Sequence, residues 1–428
     1  MSSNDEKTTG VLVIGAGIAG IEASLLLAAA GRRVHLVEKT SAIGGMVIKC
    51  EEVFANLECA TCMVAPKQQE VLQNGLIDLV MLGQILSIEG SAGDFTVRIR
   101  AKASYVDPVN CIGCGACYEP CPVSIPSEFE EGLCQRKAIS VPCAGALPNV
   151  PYVDTAHCVR FTKGQQCTAC QEACVFDAID FSQADQEREL HVAAIVVATG
   201  FKLPEAPALA EYGYGEVPAV YTAYEFERLF ASNGPTGGEI VLRDGRAPTS
   251  AAIVHCVGRT GKGYCDTLCS MYPLKFAHYF KKKLPDAEVF ELYRDLCMPG
   301  KSYESFFEQT RAHGVRFIRA GEVSVAGSNG KATVTYRTGP AARESIDVDM
   351  VVLGPVIEPS DGTVEIASLL GLSQDEAGFL ATADPFAGPV CSATPGVYIA
   401  GCAGGPTDIQ GAVAQAQAAV GRILAQVG

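Results

Sequence analysis

The stretch that decides the fold is VLVIGAGIAGIEASLLLAAAGRRVHLVEK, Val11–Lys39. It reads as strand, glycine turn, helix, strand. Val11–Ile14 is a buried β-run, Gly15, Gly17 and Gly20 make a GxGxxG motif, and Ile21–Ala30 is strongly helical. Gly15 permits the tight turn, Gly17 lets backbone approach a pyrophosphate, and Gly20 lets helix and strand pack closely. The helix N-terminus then offers N–H groups to anionic phosphates, and Glu38, closing the second strand, accepts from a ribose hydroxyl. A lone glycine motif would suit any turn of an α/β domain. Strand, helix and acid at these offsets predict a dinucleotide site.

Two later stretches narrow the dinucleotide. IVVATG at Ile195–Gly200 is an apolar strand ending in small residues. GVYIAGCAGGPTDIQGAVAQAQAAVGRI, starting at Gly396, is a strand, a glycine turn and a long Ala-rich helix. Both resemble the returning segments of the glutathione-reductase-like flavoprotein fold, in which FAD lies extended between the N-terminal fingerprint and a C-terminal strand–helix. That fold usually ends its last strand in Ala-Gly-Asp; here Cys402 takes the acid's place and Asp408 comes six residues later. Such folds carry a second dinucleotide domain for NAD(P)H. The candidate is TSAAIVHCVGRTGKGYCDTLCSMY, Thr249–Tyr272, whose strand is good but whose turn departs from GxGxxG. Cysteines stand where the pyrophosphate helix should begin, so a Rossmann-like domain with a replaced NAD(P) site is expected.

The chain has 428 residues, enough for two or three domains, with 48% hydrophobic and 19% charged residues, which marks a globular protein with a large core. Its net charge of −15 and the lack of a basic stripe argue against nucleic acid as a partner. The polar start MSSNDEKTTG lacks a signal peptide's features, and no apolar run approaches the roughly 18 residues of a membrane span. A cytoplasmic protein is expected. With six His and no Ser/His/Asp set, acid–base hydrolysis has no support.

The 19 cysteines are the unusual feature, and in a cytoplasmic chain clustered Cys reads as metal ligation before disulfides. NCIGCGACYEPCPV at Asn110–Val123 has the C-x2-C-x2-C-x3-C-P spacing of a ferredoxin, through Cys111, Cys114, Cys117 and Cys121. A second run holds Cys158, Cys167, Cys170 and Cys174 with a longer first gap. In two-cluster ferredoxins the fourth Cys of each run serves the other cluster. That swap groups Cys111, Cys114, Cys117 and Cys174 on one [4Fe-4S] cluster, and Cys158, Cys167, Cys170 and Cys121 on the other. Structural zinc is the alternative for such pairs.

The chain also resembles the heterodisulfide reductase A-subunit family. The stretches that carry the resemblance are the fingerprint, LVEKTSAIGG, LECATCMVAPK, SYVDPVNCIGCGACYEPCP, RKAISVP, the CVG…YCDTLCSMYPLK segment, PGKSYESFF and AGCAGGPTDIQGAVAQA. They span Val11 to about Ala418. The resemblance implies an α/β fold with two dinucleotide-binding domains, like glutathione or thioredoxin reductase, and an inserted (α+β) two-cluster ferredoxin domain. The implied segments are 1–104, 183–235 and 351–428 for the FAD domain, 105–182 for the insert, and 236–350 for the second Rossmann-like domain. FAD contacts are implied for Gly15, Gly17, Ala19, Gly20, Glu38, Lys39, Gly44, Gly45, Ala198, Thr199, Gly200, Gly401, Asp408, Ile409 and Ala412.

The family carries a further iron–sulfur cluster where Cys256, Cys265 and Cys269 stand here, but the last ligand position is Ser270, leaving Cys297 or an altered site. Lys275 follows on a helix and is expected near the flavin, where a cation stabilises the reduced ring. Cys59 and Cys62 are open between ligands, a redox pair and packing. The resemblance implies an electron-transfer subunit of an oxidoreductase complex, bifurcating or confurcating, in a homo-dimer within a hetero-oligomer. The expected partners are B- and C-type heterodisulfide reductase subunits, a hydrogenase-delta-like or dehydrogenase module, and ferredoxin. Longer relatives have an extra N-terminal cluster domain and a C-terminal ferredoxin domain that this sequence lacks, which again points to partners. Two other readings are a self-contained NAD(P)H-dependent iron–sulfur flavin oxidoreductase and a scaffold subunit.

Overall fold

A computed structural model describes residues 10–259, 262–264, 268–328, 330–340 and 342–427. Val11–Ile14 is an interior strand of a seven-stranded sheet. It pairs in parallel with Val34–Val37 on one side and Ala194–Val197 on the other, with Val11 opposite both Val34 and Ala194. Ile77–Val80 forms one edge; on the other side Val397–Ile399 follows Ala194–Val197, and Gly388–Ser392 and then Thr382–Asp384 complete the sheet. These short apolar runs are buried on both faces because the strand alternation serves two layers. Val11, Val13, Ala194 and Val196 pack with the helices Ile18–Ala29 and Ile409–Val427. Leu12, Ile14, Ile195 and Val197 pack with Phe95, Val97 and Ile99 of a three-stranded antiparallel sheet.

That antiparallel sheet, Gly83–Ser91, Asp94–Ala101 and Gln186–Val192, anchors the cysteine-rich segment. The chain leaves it at Ala101 and re-enters at Gln186, directly opposite in the ladder. Between them, a Val106–Ile179 bridge closes the base, supported by Asp107 N–H to the Ala178 carbonyl at 2.7 Å. Inside are two-residue ladders, Ile125–Pro126 with Gln135–Arg136 and Ile139–Ser140 with Tyr152–Val153. The buried centre of this unit mixes aliphatic residues with Cys117, Cys121 and Cys170. Thiols therefore take core positions that aliphatic side chains would otherwise fill.

A second sheet has five parallel strands in the order Val220–Thr222, Met350–Pro355, Ser250–Val257, Glu288–Tyr293 and Arg316–Arg319. Val220–Thr222 falls in the segment expected to belong to the first domain, yet it pairs with Val351–Leu353 of this sheet. Its partner lies about 130 residues downstream, a pairing that no local pattern announces. The following helix, Ala223–Phe230, starts with a capping box between Thr222 and Glu225. It joins three units: Arg228, fully buried, makes two bonds to Glu130 of the cysteine-rich segment (2.8 and 3.0 Å) and a third to the Lys49 carbonyl at 3.0 Å.

Candidate functional site

A cavity of about 1050 Å³ opens at the C-terminal ends of the first sheet's strands. Gly15, Gly17, Ala19, Glu38, Lys39, Gly45, Ala198, Thr199, Gly200, Gly401, Asp408, Ile409, Ala412 and Lys275 all line it. Gly20 and Gly44 stand behind the wall. A Cβ on Gly20 would lie 1.8 Å from the Gly15 carbonyl oxygen, so helix and turn approach each other only without a side chain there. Gly44 donates its N–H to the Ala16 carbonyl at 2.7 Å. Gly17 is different: a Cβ there meets nothing nearer than 3.9 Å and points into open cavity. It caps the helix Ile18–Ala29, whose first turn holds no acidic residue to oppose an anion.

Glu38 is held in place from two sides. One oxygen accepts the Ala16 N–H at 2.8 Å, and the other accepts the Thr40 N–H and hydroxyl at 2.9 and 2.8 Å. A carboxylate has lone pairs beyond these, so it can still accept from a ribose hydroxyl. Asp408 accepts the Tyr303 hydroxyl at 2.7 Å and the Gly411 N–H at 2.7 Å, which fixes it at the start of the last helix. Burial, with Asp408 adding to it, pushes the Tyr303 phenol up to about 12.

Several wall residues have no cofactor motif in the sequence. Lys275 is buried with its ammonium 2.8 Å from Glu227 and 2.7 Å from the Glu52 carbonyl. Glu227 also accepts the hydroxyls of Tyr272 and Tyr279, and the Glu51 N–H. Cys50 sits against this group; burial pushes its thiol up to about 11 although Lys275 opposes the shift. Tyr224, Tyr272 and Lys275 come from the second domain, so only the packing of the two domains brings them to the cavity. Phe129, Arg136 and Tyr152 come from the cysteine-rich segment.

The thiols of that segment fall into two neighbourhoods. A small pocket is lined by Cys121, Cys158, Cys167 and Cys170, together with Pro122, Ala138, Ile139, Val153 and Phe181. Burial first, then the neighbouring Cys121, Cys158 and Cys167, push the Cys170 thiol up to about 11. Cys117 is pushed to about 12, by burial and by charge on Cys170, Cys111 and Cys114. Cys174 accepts the Ala178 N–H at 3.4 Å beside the bridge that closes the base. Among the described residues, no three His, Cys, Asp or Glu side chains close around a single point as for one metal ion.

Comparison with known proteins then places the chain. The family model described as pyridine nucleotide-disulphide oxidoreductase matches residues 9–416. The chain belongs to the pyridine nucleotide-disulphide oxidoreductase family. Curated relatives of this oxidoreductase include the A subunit of the H(2):CoB-CoM heterodisulfide,ferredoxin reductase of Methanothermobacter marburgensis. It is 38% identical over 98% of this chain and 64% of the relative. Another is the first of two iron-sulfur A subunits of the CoB--CoM heterodisulfide reductase of Methanopyrus kandleri, 39% identical over 97% of this chain and 63% of the relative. The chain therefore spans a little under two thirds of the length of these relatives. Among solved structures, Lactococcus lactis thioredoxin reductase is similar with a TM-score of 0.54 at 15% identity, covering 98% of this chain and 99% of that one. The expected disulfide-reductase-like flavoprotein fold is the fold observed.

This family member carries an unusual feature in its second domain. At the end of Ser250–Val257, Cys256 has a left-handed backbone (φ 58) and its thiol is hydrogen-bonded with that of Cys269. That bond, against burial, lowers Cys256 to about 5. Cys297 donates its N–H to the Ser270 hydroxyl at 2.9 Å, so Cys297 lies beside Ser270. Cys265 lies outside the described residues. Behind them, buried His255 bridges the Cys269 carbonyl, at 3.1 Å, and Glu291. No helix among the described residues is long and apolar enough to cross a membrane.

Proposed function

We propose that this oxidoreductase is an FAD- and iron–sulfur-containing electron-transfer subunit of a heterodisulfide-reductase-like complex. In this reading electrons pass between the flavin cavity, two [4Fe-4S] clusters and partner subunits, with electron bifurcation or confurcation as the reaction class. The observation that carries it is the double role of the strand Tyr152–Val153: Tyr152 lines the large cavity and Val153 the four-thiol pocket. The two sites share that strand as a common wall. Electron transfer needs that closeness, and a merely structural metal site does not.

The fit of the residues supports each group. For FAD, the fingerprint glycines, Glu38 and the start of the last helix surround one large cavity with room at Gly17. When bound, FAD supplies both one- and two-electron exchange. Lys275, in the wall and paired with Glu227, would set an N–H donor beside the flavin. For the clusters, the buried thiols Cys117 and Cys170 hold their protons tightly, and a cationic iron core is what makes such crowding of sulfur favourable. The grouping of Cys121 with Cys158, Cys167 and Cys170 supports the crossed ligand set, leaving Cys111, Cys114, Cys117 and Cys174 for the other cluster. A third cluster is proposed on Cys256, Cys265 and Cys269, with Cys297 in place of Ser270.

The partners in this reading are B- and C-type heterodisulfide reductase subunits, a hydrogenase-type or dehydrogenase module, and ferredoxin. The test is to purify the chain anaerobically, measure FAD and iron per chain, and isolate its complexes. One FAD with about eight to twelve iron atoms is expected; a chain without flavin would sink the reading. The parallel second sheet favours one alternative, a self-contained NAD(P)H-dependent reductase. Rapid bleaching of the flavin absorbance by NADH or NADPH in the isolated chain would select it.

A further inference from the structure

Exposed apolar side chains are unevenly spread over this chain. Eight large ones are exposed among the described residues, and four of them flank two cysteines of one proposed ligand set. Val109 and Ile112, 88% and 62% exposed, stand on either side of Cys111 in the sequence. Val175 and Phe176, 83% and 42% exposed, follow Cys174. Single exposed residues of this kind are ordinary, but a contiguous patch marks an interaction site.

Hydrogen bonds bring the two loops together. The Asp107 N–H donates to the Ala178 carbonyl at 2.7 Å, and the Ala178 N–H donates to Cys174 Sγ at 3.4 Å. On the other loop the Asp107 carboxylate accepts the Val109 N–H at 2.9 Å, and its carbonyl accepts the Cys111 N–H at 3.0 Å. Cys114, of the same set, is exposed. The set around Cys121 instead shares the Tyr152–Val153 wall with the large cavity. One thiol group thus adjoins the cavity and the other reaches solvent.

The rim of the patch carries one sign of charge. From Ala103 to Leu133 and from Gly164 to Glu187 the sequence has no Lys, Arg or His. Glu119, Glu172 and Asp177 are exposed within these stretches, and no cation pairs with them among the described residues.

We propose that this face docks a redox protein whose contact surface is apolar at its centre and ringed by Lys and Arg. The inference deepens the electron-transfer reading and rests on it. An apolar centre excludes water between the two proteins, and a basic ring steers the carrier and fixes its orientation. The same rim repels acidic carriers, nucleic acid and anionic membrane surfaces. A patch of four side chains suits the small, transient interface of electron-transfer partners.

The test uses the full, cofactor-loaded chain and two probes: cytochrome c, whose exposed haem edge is ringed by lysines, and an acidic two-cluster ferredoxin. Anaerobic titration gives the dissociation constants, and carbodiimide cross-linking with peptide mass mapping gives the contact face. Cytochrome c should bind more tightly than the ferredoxin and cross-link through Glu119, Glu172 or Asp177. Its affinity should fall at least about tenfold from about 10 to about 150 mM ionic strength. Glu119→Gln, Glu172→Gln and Asp177→Asn together should weaken it about tenfold at low salt. Asn also suits the left-handed backbone of Asp177 (φ 50). Val175→Ser should weaken binding about threefold and keep the salt dependence. Binding that the triple variant leaves unchanged, cross-links only at other carboxylates, or a ferredoxin that binds as tightly overturns the docking face. FAD and iron are counted on the same samples. Their absence sinks the electron-transfer reading, whereas unchanged binding in a loaded chain sinks the face alone. If a variant does not fold, the wild-type cross-links and salt dependence decide.

Discussion

Tyr152 and Val153 are consecutive on one short strand, yet their side chains serve different cavities. The alternation of a strand forces this: successive side chains point to opposite faces. Ile139, across the ladder from Val153, shares the thiol pocket. One two-stranded ladder therefore forms the partition between the two candidate cofactor sites. The inserted segment is a wall of the dinucleotide cavity as well as a carrier of cysteines.

Cys121→Ser should remove the cluster proposed for Cys158, Cys167 and Cys170. Iron should fall by about four atoms per chain, with FAD retained. The spectrum lost, read by electron paramagnetic resonance after reduction, should match that lost in Cys158→Ser and differ from that lost in Cys117→Ser. A match with Cys117→Ser would mean that each cysteine run keeps its own cluster.

Gly17→Ala should separate folding from cofactor binding. Its added methyl meets no protein atom closer than 3.9 Å, so the thermal midpoint of the flavin-free chain should be unchanged within error. The methyl occupies the space by which backbone approaches the pyrophosphate, and FAD affinity measured by titration should fall at least about tenfold. Gly20→Ala, in contrast, places a methyl 1.8 Å from the Gly15 carbonyl oxygen and should destabilise the fold with or without FAD.

Glu130→Gln should unsettle the join between the insert, the first domain and the second. Arg228 is fully buried and its two bonds to Glu130 neutralise it. Removing that charge leaves a buried guanidinium uncompensated, at a cost of about 3–5 kcal/mol. Denaturant titration should show this loss, and limited proteolysis should cut the 105–182 segment sooner.

Asp349 predicts an acid-dependent loss of stability in the second domain. Burial pushes its pKa up, but the Thr249 hydroxyl and N–H, at 2.6 and 2.9 Å, and Lys331, at 3.2 Å, outweigh it and hold the carboxyl at about 2. A depressed carboxylate stabilises the fold above its ordinary value of about 3.9 and loses that contribution as pH falls towards 2. Asp349→Asn should therefore lower stability by about 1 kcal/mol at neutral pH, less than full linkage because Lys331 is solvent-screened. The difference should shrink between about pH 4 and about pH 2, as measured by pH-dependent denaturation.

Where the chemistry is local, the amino-acid order was enough. Val11–Lys39 specifies strand, glycine turn, helix and acid because each residue's role there depends on neighbours a few positions away. The spacing of Cys111–Cys121 likewise marks a ligand run, and Cys59 and Cys62 lie close enough in the chain to meet. Contacts made from afar were settled only on folding. Val220–Thr222 joined the second sheet because its partner strand begins at Met350, and Tyr224, Tyr272 and Lys275 reached the cavity only because the second domain packs against the first. Cys297 came beside Ser270, 27 residues apart, through a loop contact with no sequence period. Local propensity and motif spacing act over one turn or one strand, whereas these pairings are set by which buried faces complement each other across the fold.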